Sequence, residues 1–185
     1  MDPKLKGRLQ FIGIVCIFGL PFILGPIAYK FGWFETAVNN KGTLMSPPIH
    51  ISDYSVEYHV GAFKEDTTWR LLLNKPRCGN ECLDLVNMMA NTRQALGREK
   101  DRVNVMVWNQ QLSDINQKLI ASYTDLDIGV VGGVTNELAP AIYIVDTHGN
   151  IILKYDIQTS VEEMIAQGRD ILKDLKKLLK VSRIG

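Results

Sequence analysis

Cysteine and histidine are scarce in this chain, three of each among 185 residues. Cys16, Cys78 and Cys82, with His50, His59 and His148, give no zinc-module spacing. No phosphate-binding glycine loop and no nucleophile–base–orienter set is present either. The net charge is only +1. Four basic and two acidic residues fall in residues 1–40, which leaves −1 for residues 41–185. That region has no basic run, which argues against a nucleic-acid partner. Internal repeats and low-complexity tracts are also missing. Two features stand out: a long uncharged stretch near the N-terminus and a closely spaced cysteine pair.

The uncharged stretch runs from Phe11 to Tyr29, 19 residues. As a helix it reaches about 28 Å, close to the hydrocarbon thickness of a bilayer. Pro21 and Pro26 would kink a soluble helix but are tolerated in membrane spans. Phe31, Trp33 and Phe34 follow, and Trp suits the membrane interface. A cleaved signal peptide is the alternative, but the stretch is long and no A-x-A site follows it. Lys4, Lys6 and Arg8 precede the stretch and only Lys30 follows closely. That bias predicts a cytoplasmic N-terminus at 1–10, an anchor at 11–30 and an exported domain beyond a linker at 31–48. Ser46-Pro47-Pro48 gives the linker an extended path.

From residue 49 onward strands and helices alternate. Residues 49–60 predict a short strand or hairpin. Trp69–Leu73 predicts a buried strand. Cys82, Leu85, Val86, Met89 and Leu96 recur at helical spacing, which predicts a helix from Asn80, its N-cap, to a stop at Gly97. Val103–Trp108 is a second strand, and Leu112, Ile115, Leu119 and Ile120 mark a second helix. Ala141–Val145 is a third strand, joined by the turn 146–150 to a hairpin partner at Ile151–Tyr155. A last helix opens on the Ser160/Glu163 capping pattern. Val161, Met164, Ile165, Ile171, Leu172, Leu175, Leu178 and Leu179 give it an apolar face, and Lys173, Lys176, Lys177 and Lys180 crowd its C-terminal half. The order βαβαββα implies parallel strands across the helical crossovers and an antiparallel closing edge.

Cys78 and Cys82 lie in Arg77-Cys78-Gly79-Asn80-Glu81-Cys82, where the first of these strands gives way to a helix. A helix N-terminus lowers thiol pKa. Two sulfurs at this spacing can close a disulfide or hold a soft metal ion. Cys78, before the helix, is the expected nucleophile, more exposed and more acidic than Cys82, the resolving thiol. A static disulfide is the plainer alternative, although so short a loop gains little from closure. Arg77 could lower the thiol pKa further or simply be solvated. Met88 and Met89 fit core packing better than metal binding. His50 and His59 could fold over the cysteines, but a surface or core role fits each histidine better than metal binding, and His148 sits in an exposed turn. Asp125 and Asp127, near Asn136, read as loop polar groups.

A CxxxC at the first βα junction of this order, with Pro140 just before the third strand, is the thioredoxin-fold arrangement. More narrowly, the chain resembles the Sco/SenC proteins, thioredoxin-like factors that mature the copper site of cytochrome c oxidase. The likeness lies in the N-terminal anchor, the Cys78-x-x-x-Cys82 spacing, the hairpin Ile142–Ile151 and the closing segment Asp174–Leu179. It implies an α/β thioredoxin-like fold behind one transmembrane helix, in the inner membrane and facing the periplasm. It further implies Cys78 and Cys82 as catalytic thiols and copper ligands, a cis peptide bond at Pro140, and an oxidase copper-site subunit as thiol client. Two positions depart from that family. Leu83 stands where it has proline after the second cysteine, and Leu138 stands nearest the place of its third copper ligand, a histidine. Dithiol chemistry is untouched by these changes, whereas Cu(I) binding is expected to be weak and Cu(II) binding scarce. A general periplasmic oxidoreductase and a binding scaffold with an inert disulfide are the other readings.

Overall fold

The structure is a computed structural model that describes residues 3–31, 40–60, 68–110, 117–118, 121–123, 126–131 and 138–182. It divides into two units, Met1–Asn39 and Asn40–Gly185. In the first, helix α1 (Pro3–Lys30) holds its course through Pro21 and Pro26. Its segment Phe11–Ala28 is long and apolar enough to cross a membrane. Phe11, Phe18 and Phe22 lie open on its surface, as lipid-facing side chains would.

The second unit is a seven-stranded sheet carrying two long helices. Its strands are β1 (Thr43–His50), β2 (Val56–Val60), β3 (Trp69–Asn74), β4 (Val103–Asn109), β5 (Leu126–Val131), β6 (Ala141–Val145) and β7 (Asn150–Tyr155). Helix α2 (Asn80–Gln94) follows β3 and helix α3 (Val161–Val181) follows β7. The spatial order is β1-β7-β6-β3-β4-β5-β2. β3, β4 and β5 run parallel, while β6 lies antiparallel to β3, and β7 to β6.

Every residue of β3 and β6 is buried, because both sheet faces are covered. Side chains alternate between the faces. Trp69, Leu71 and Leu73 meet Cys82, Leu85, Val86 and Met89 of α2 and Ile171, Leu175 and Leu179 of α3. Leu72 points the other way, into a layer with Ile51, Met106, Trp108, Leu138, Tyr143, Val145 and Ile151.

The sheet is larger than the sequence pattern implies. Residues 49–60 form no hairpin: β1 pairs with β7 and β2 with β5, at opposite edges. β1 starts at Thr43, inside the stretch read as linker. An edge strand tolerates Pro47 and Pro48, which lack the N–H a central strand needs, and the register is broken between Leu44 and Ile49. β5 was not expected, since its sequence LDIGVV holds a charge and a glycine. β6 runs antiparallel to β3, and β1 rather than β7 closes that edge. The expected helix on Leu112, Ile115, Leu119 and Ile120 lies outside the described residues. Helix α2 ends at Gln94, three residues before Gly97, which opens a 3-10 turn at φ +65°. On α3, Ser160 caps the N-terminus through Glu163 N–H, yet Val161 and Ile165 are exposed rather than in the core.

One buried carboxylate ties the start of this unit to α3. Asp174 accepts from Lys41 N–H at 2.7 Å, Gly42 N–H at 3.0 Å and the Tyr155 hydroxyl at 2.6 Å. A side chain at position 42 would have its Cβ only 2.6 Å from the Tyr155 ring, so glycine is what lets the chain pass.

Candidate functional site

The cysteine loop begins where three strand ends meet. Asn74, the last residue of β3, lies opposite Trp108 of β4 and Ala141 of β6. Lys75 N–H donates to Trp108 O at 2.9 Å and Gln110 N–H to Pro76 O at 3.0 Å, which fastens the loop to the end of β4. The Asn74 amide donates to Leu138 O at 2.6 Å and to Ala139 O at 3.2 Å. The Tyr143 hydroxyl adds a bond to Ala139 O at 2.8 Å. The segment before β6 is thereby fixed at the same sheet end. Burial, the largest cause, pushes the Tyr143 hydroxyl up to about 12, so it stays a neutral donor.

Cys78 and Cys82 are joined as a disulfide with Cα atoms 5.5 Å apart, inside the usual range. Gly79, not Asn80, is the N-cap of α2, and Cys82 N–H donates to Gly79 O at 3.0 Å. Cys78 therefore precedes the helix and Cys82 closes its first turn. Cys82 is fully buried among Leu85, Val86 and Met89, whereas Cys78 is half-buried at the rim of that core. Arg77 is exposed.

Glu81 also sits in this first turn. Hydrogen bonding to its own backbone N–H holds its carboxyl below the usual range, and Lys75, 3.5 Å away, acts in the same direction. The carboxylate thus takes part of the helix N-terminal field that would otherwise favour a Cys78 thiolate. Asn74 and Lys75 were not singled out from the sequence. The available signal was the polar pair that ends the apolar run Leu71–Leu73 next to the cysteines.

Most other candidates lie elsewhere. Because β6 is antiparallel to β3, its end at Val145 lies beside Arg70, away from the cysteine loop. The β6–β7 turn with His148 is therefore at the far end of the sheet. His50 is held there too: its Nε2 donates to His148 O at 2.6 Å, and its Nδ1 accepts from Ser52 N–H at 3.1 Å. It does not fold over the cysteines. His59 belongs to β2, on the edge opposite β1, and its side chain lies outside the described residues. Met89 is core, and the Met88 thioether Sδ accepts from the Thr92 hydroxyl at 3.7 Å. Asp127 is a strand residue of β5 rather than a loop group. Burial pushes its carboxyl up, and Arg70 and Asn104 counter this. Asp125 and Asn136 lie outside the described residues.

Pro140 directly precedes β6 and so belongs to the cysteine end of the sheet. The Ala139–Pro140 bond is trans, against the expected cis geometry; the cis bond among the described residues is Ser46–Pro47. Leu138 is buried with Ile51, Trp108 and Tyr143, in the layer opposite Cys82.

Among the described residues no three His, Cys, Asp or Glu side chains are grouped to hold a metal. Among the described residues the local thiolate donors for copper are these two sulfurs, once reduced, and no histidine is grouped with them as a Cys₂His site would require. A histidine at 138 would share the layer of Leu138 rather than that of Cys82, so Leu138→His should not supply a third ligand. Competitive Cu(I) titration of the reduced protein, with Cys78→Ser as blank, should show affinity within about twofold of wild type. The buried imidazole should cost about 2–4 kcal/mol in urea unfolding. A tenfold gain in affinity would show that the segment before β6 can reach the sulfurs.

Comparison with known proteins sets this geometry in a family. Residues 69–182 match the family model of the transmembrane-like, thioredoxin-like, C-terminal domain. The match spans more than half of the chain, and the chain belongs to that family. No curated protein matches it in sequence. Among solved structures it is similar to apo Sco1 of Thermus thermophilus, at 12% identity over 77% of this chain and 99% of that one, with TM-score 0.49. A SCO1/SenC family lipoprotein of Bacillus anthracis is 13% identical over 72% and 98%, with TM-score 0.43. A peroxiredoxin-like protein of Aquifex aeolicus is 12% identical over 70% and 92%, with TM-score 0.39. The fold is thioredoxin-like.

Proposed function

We propose that this member of the transmembrane-like, thioredoxin-like family is a membrane-anchored thiol–disulfide exchange protein whose domain faces the periplasm. The observation that carries the reading is the asymmetry of the cysteine pair across the first turn of α2: Cys78 half-buried before the helix, Cys82 fully buried within it. Reduced Cys78 attacks a client disulfide as thiolate. One client sulfur leaves as thiolate and a mixed disulfide forms. Cys82 then attacks Cys78 Sγ, closing the Cys78–Cys82 bond and releasing the second client thiol. Two electrons pass to the client, and a dithiol donor must reduce the pair before another turn.

The client we favour is the copper-site subunit of a respiratory cytochrome oxidase, whose cysteines must be reduced before metal enters. Support comes from the Sco/SenC resemblance of the cysteine spacing, the Ile142–Ile151 hairpin and the closing helix. Delivery of copper as cargo through the same thiols is less well supported, since no third metal ligand is grouped with the two sulfurs among the described residues.

A redox titration of the full chain in detergent, read by alkylation of Cys78, tests the exchange role. A potential above about −300 mV is expected, and a lower one would mark the bond as structural. If the potential is as expected but an oxidase copper-site domain is reduced no faster than an unrelated disulfide, the general oxidoreductase reading replaces the specific one. Reporter fusion after Lys41 checks orientation, and cytoplasmic activity there would overturn the periplasmic placement.

A further inference from the structure

The C-terminal half of α3 carries an exposed cationic stripe at the point where the leash from α1 enters the second unit. At about 100° per residue, Lys173, Lys176, Lys177 and Lys180 share one face roughly 100° wide. The opposite face carries Ile171, Leu175 and Leu179 into the core. All four lysines are exposed, and Lys173 pairs with Asp170 one turn back at 3.3 Å. Glu162 and Glu163 sit at the other end of the helix.

The same helix half grips the start of the unit. Lys177 Nζ donates to Asn40 Oδ1 at 3.2 Å, and Asp174 holds Lys41 and Gly42. Lys41 is exposed as well, adding a fifth positive charge beside the stripe. From Phe31 to Asn40 is nine residue steps, at most about 32 Å even when fully extended. A leash of that length keeps the entry point, and the lysines around it, near whatever surface α1 is embedded in.

We propose that this stripe, with Lys41, docks on the anionic phospholipid surface of the membrane that holds α1. Each lysine near such a surface strengthens binding by roughly fivefold, and the short leash makes the encounter intramolecular. Docking would limit the domain's tumbling and leave the cysteine end with a restricted set of orientations toward membrane-bound clients. The inference rests on reading Phe11–Ala28 as a membrane span.

The test uses the full chain in vesicles of phosphatidylcholine alone or with one third phosphatidylglycerol, labelled with an impermeant lysine acylating reagent and read by mass spectrometry. Labelling of Lys173, Lys176, Lys177 and Lys180, relative to exposed Lys118, should fall about threefold or more in the anionic vesicles and recover in 1 M salt. Lys41 should be protected in the same way in wild type, but not in the K173Q/K176Q/K177Q/K180Q variant. Equal labelling in both vesicle types would overturn the docking proposal while leaving the anchor intact. Failure of the chain to float with either type would overturn the anchor reading and the proposal with it.

Discussion

Cys82→Ser should accumulate a mixed disulfide between Cys78 and its client, and Cys78→Ser should form none. Attack requires a thiolate that can reach a second protein, and resolution requires a neighbouring thiol. Cys78 precedes the helix at the core rim, and Cys82 is fully buried one turn on. Removing Cys82 leaves the nucleophile and deletes only the step that frees the client. Non-reducing gels of the full chain with a disulfide-bearing oxidase copper-site domain read the result directly. Loss of the bond itself costs about 2 kcal/mol by the loop-closure estimate for so short a ring, so both variants should remain folded. Serine at 82 also buries a hydroxyl, and Cys82→Ala is the companion that separates packing from chemistry. Mixed disulfide through Cys82 in the Cys78→Ser variant would reverse the assigned roles.

Asp174→Ala should destabilise the domain by about 2–4 kcal/mol in urea unfolding, because three donors lose one buried acceptor. Those donors are Lys41 N–H, Gly42 N–H and the Tyr155 hydroxyl. Asp174→Asn keeps an acceptor and should lose less. The same network sets a pH response. Burial, the largest cause, then the bond to Asp174 and its negative charge, push the Tyr155 hydroxyl far above its ordinary value. The folded state thus holds a neutral tyrosine that the unfolded chain ionises near pH 10. Its contribution is complete below that pH and is lost as pH rises above it, by up to about 1.4 kcal/mol per pH unit for one group. Tyr143 acts with the same sign. Urea midpoints from pH 8 to 11 should fall more steeply for wild type than for Tyr155→Phe, and parallel slopes would refute the assignment.

How far the sequence led depended on how local each cause was. Cys78 and Cys82 were legible because a strand, a loop and a helix start are contiguous there. The cap still moved by one residue, since Gly79 and the Glu81 carboxylate share the work expected of Asn80. Long-range pairing was not legible. Nothing in residues 43–60 shows that β1 and β2 lie at opposite edges of a seven-stranded sheet, and β5 hides behind Asp127 and Gly129. The positions of His50 and His148 were not legible for a related reason. Their distance from the sulfurs depends on the antiparallel placement of β6, which a pattern of apolar residues does not encode. On α3 the periodicity was read correctly, but Val161 and Ile165 lie beyond the reach of the sheet, so an apolar position there is not a core position.

The prolines of β1 have a consequence for crowding. A sheet with open sides can add strands from neighbouring copies, and proteins confined to a membrane meet their own kind far more often than freely diffusing ones do. Pro47 and Pro48 leave this edge strand without two backbone donors, and the register of its pairing is broken between Leu44 and Ile49. The stretch that first reads as mere connecting chain thus acts as a guard against self-templated aggregation.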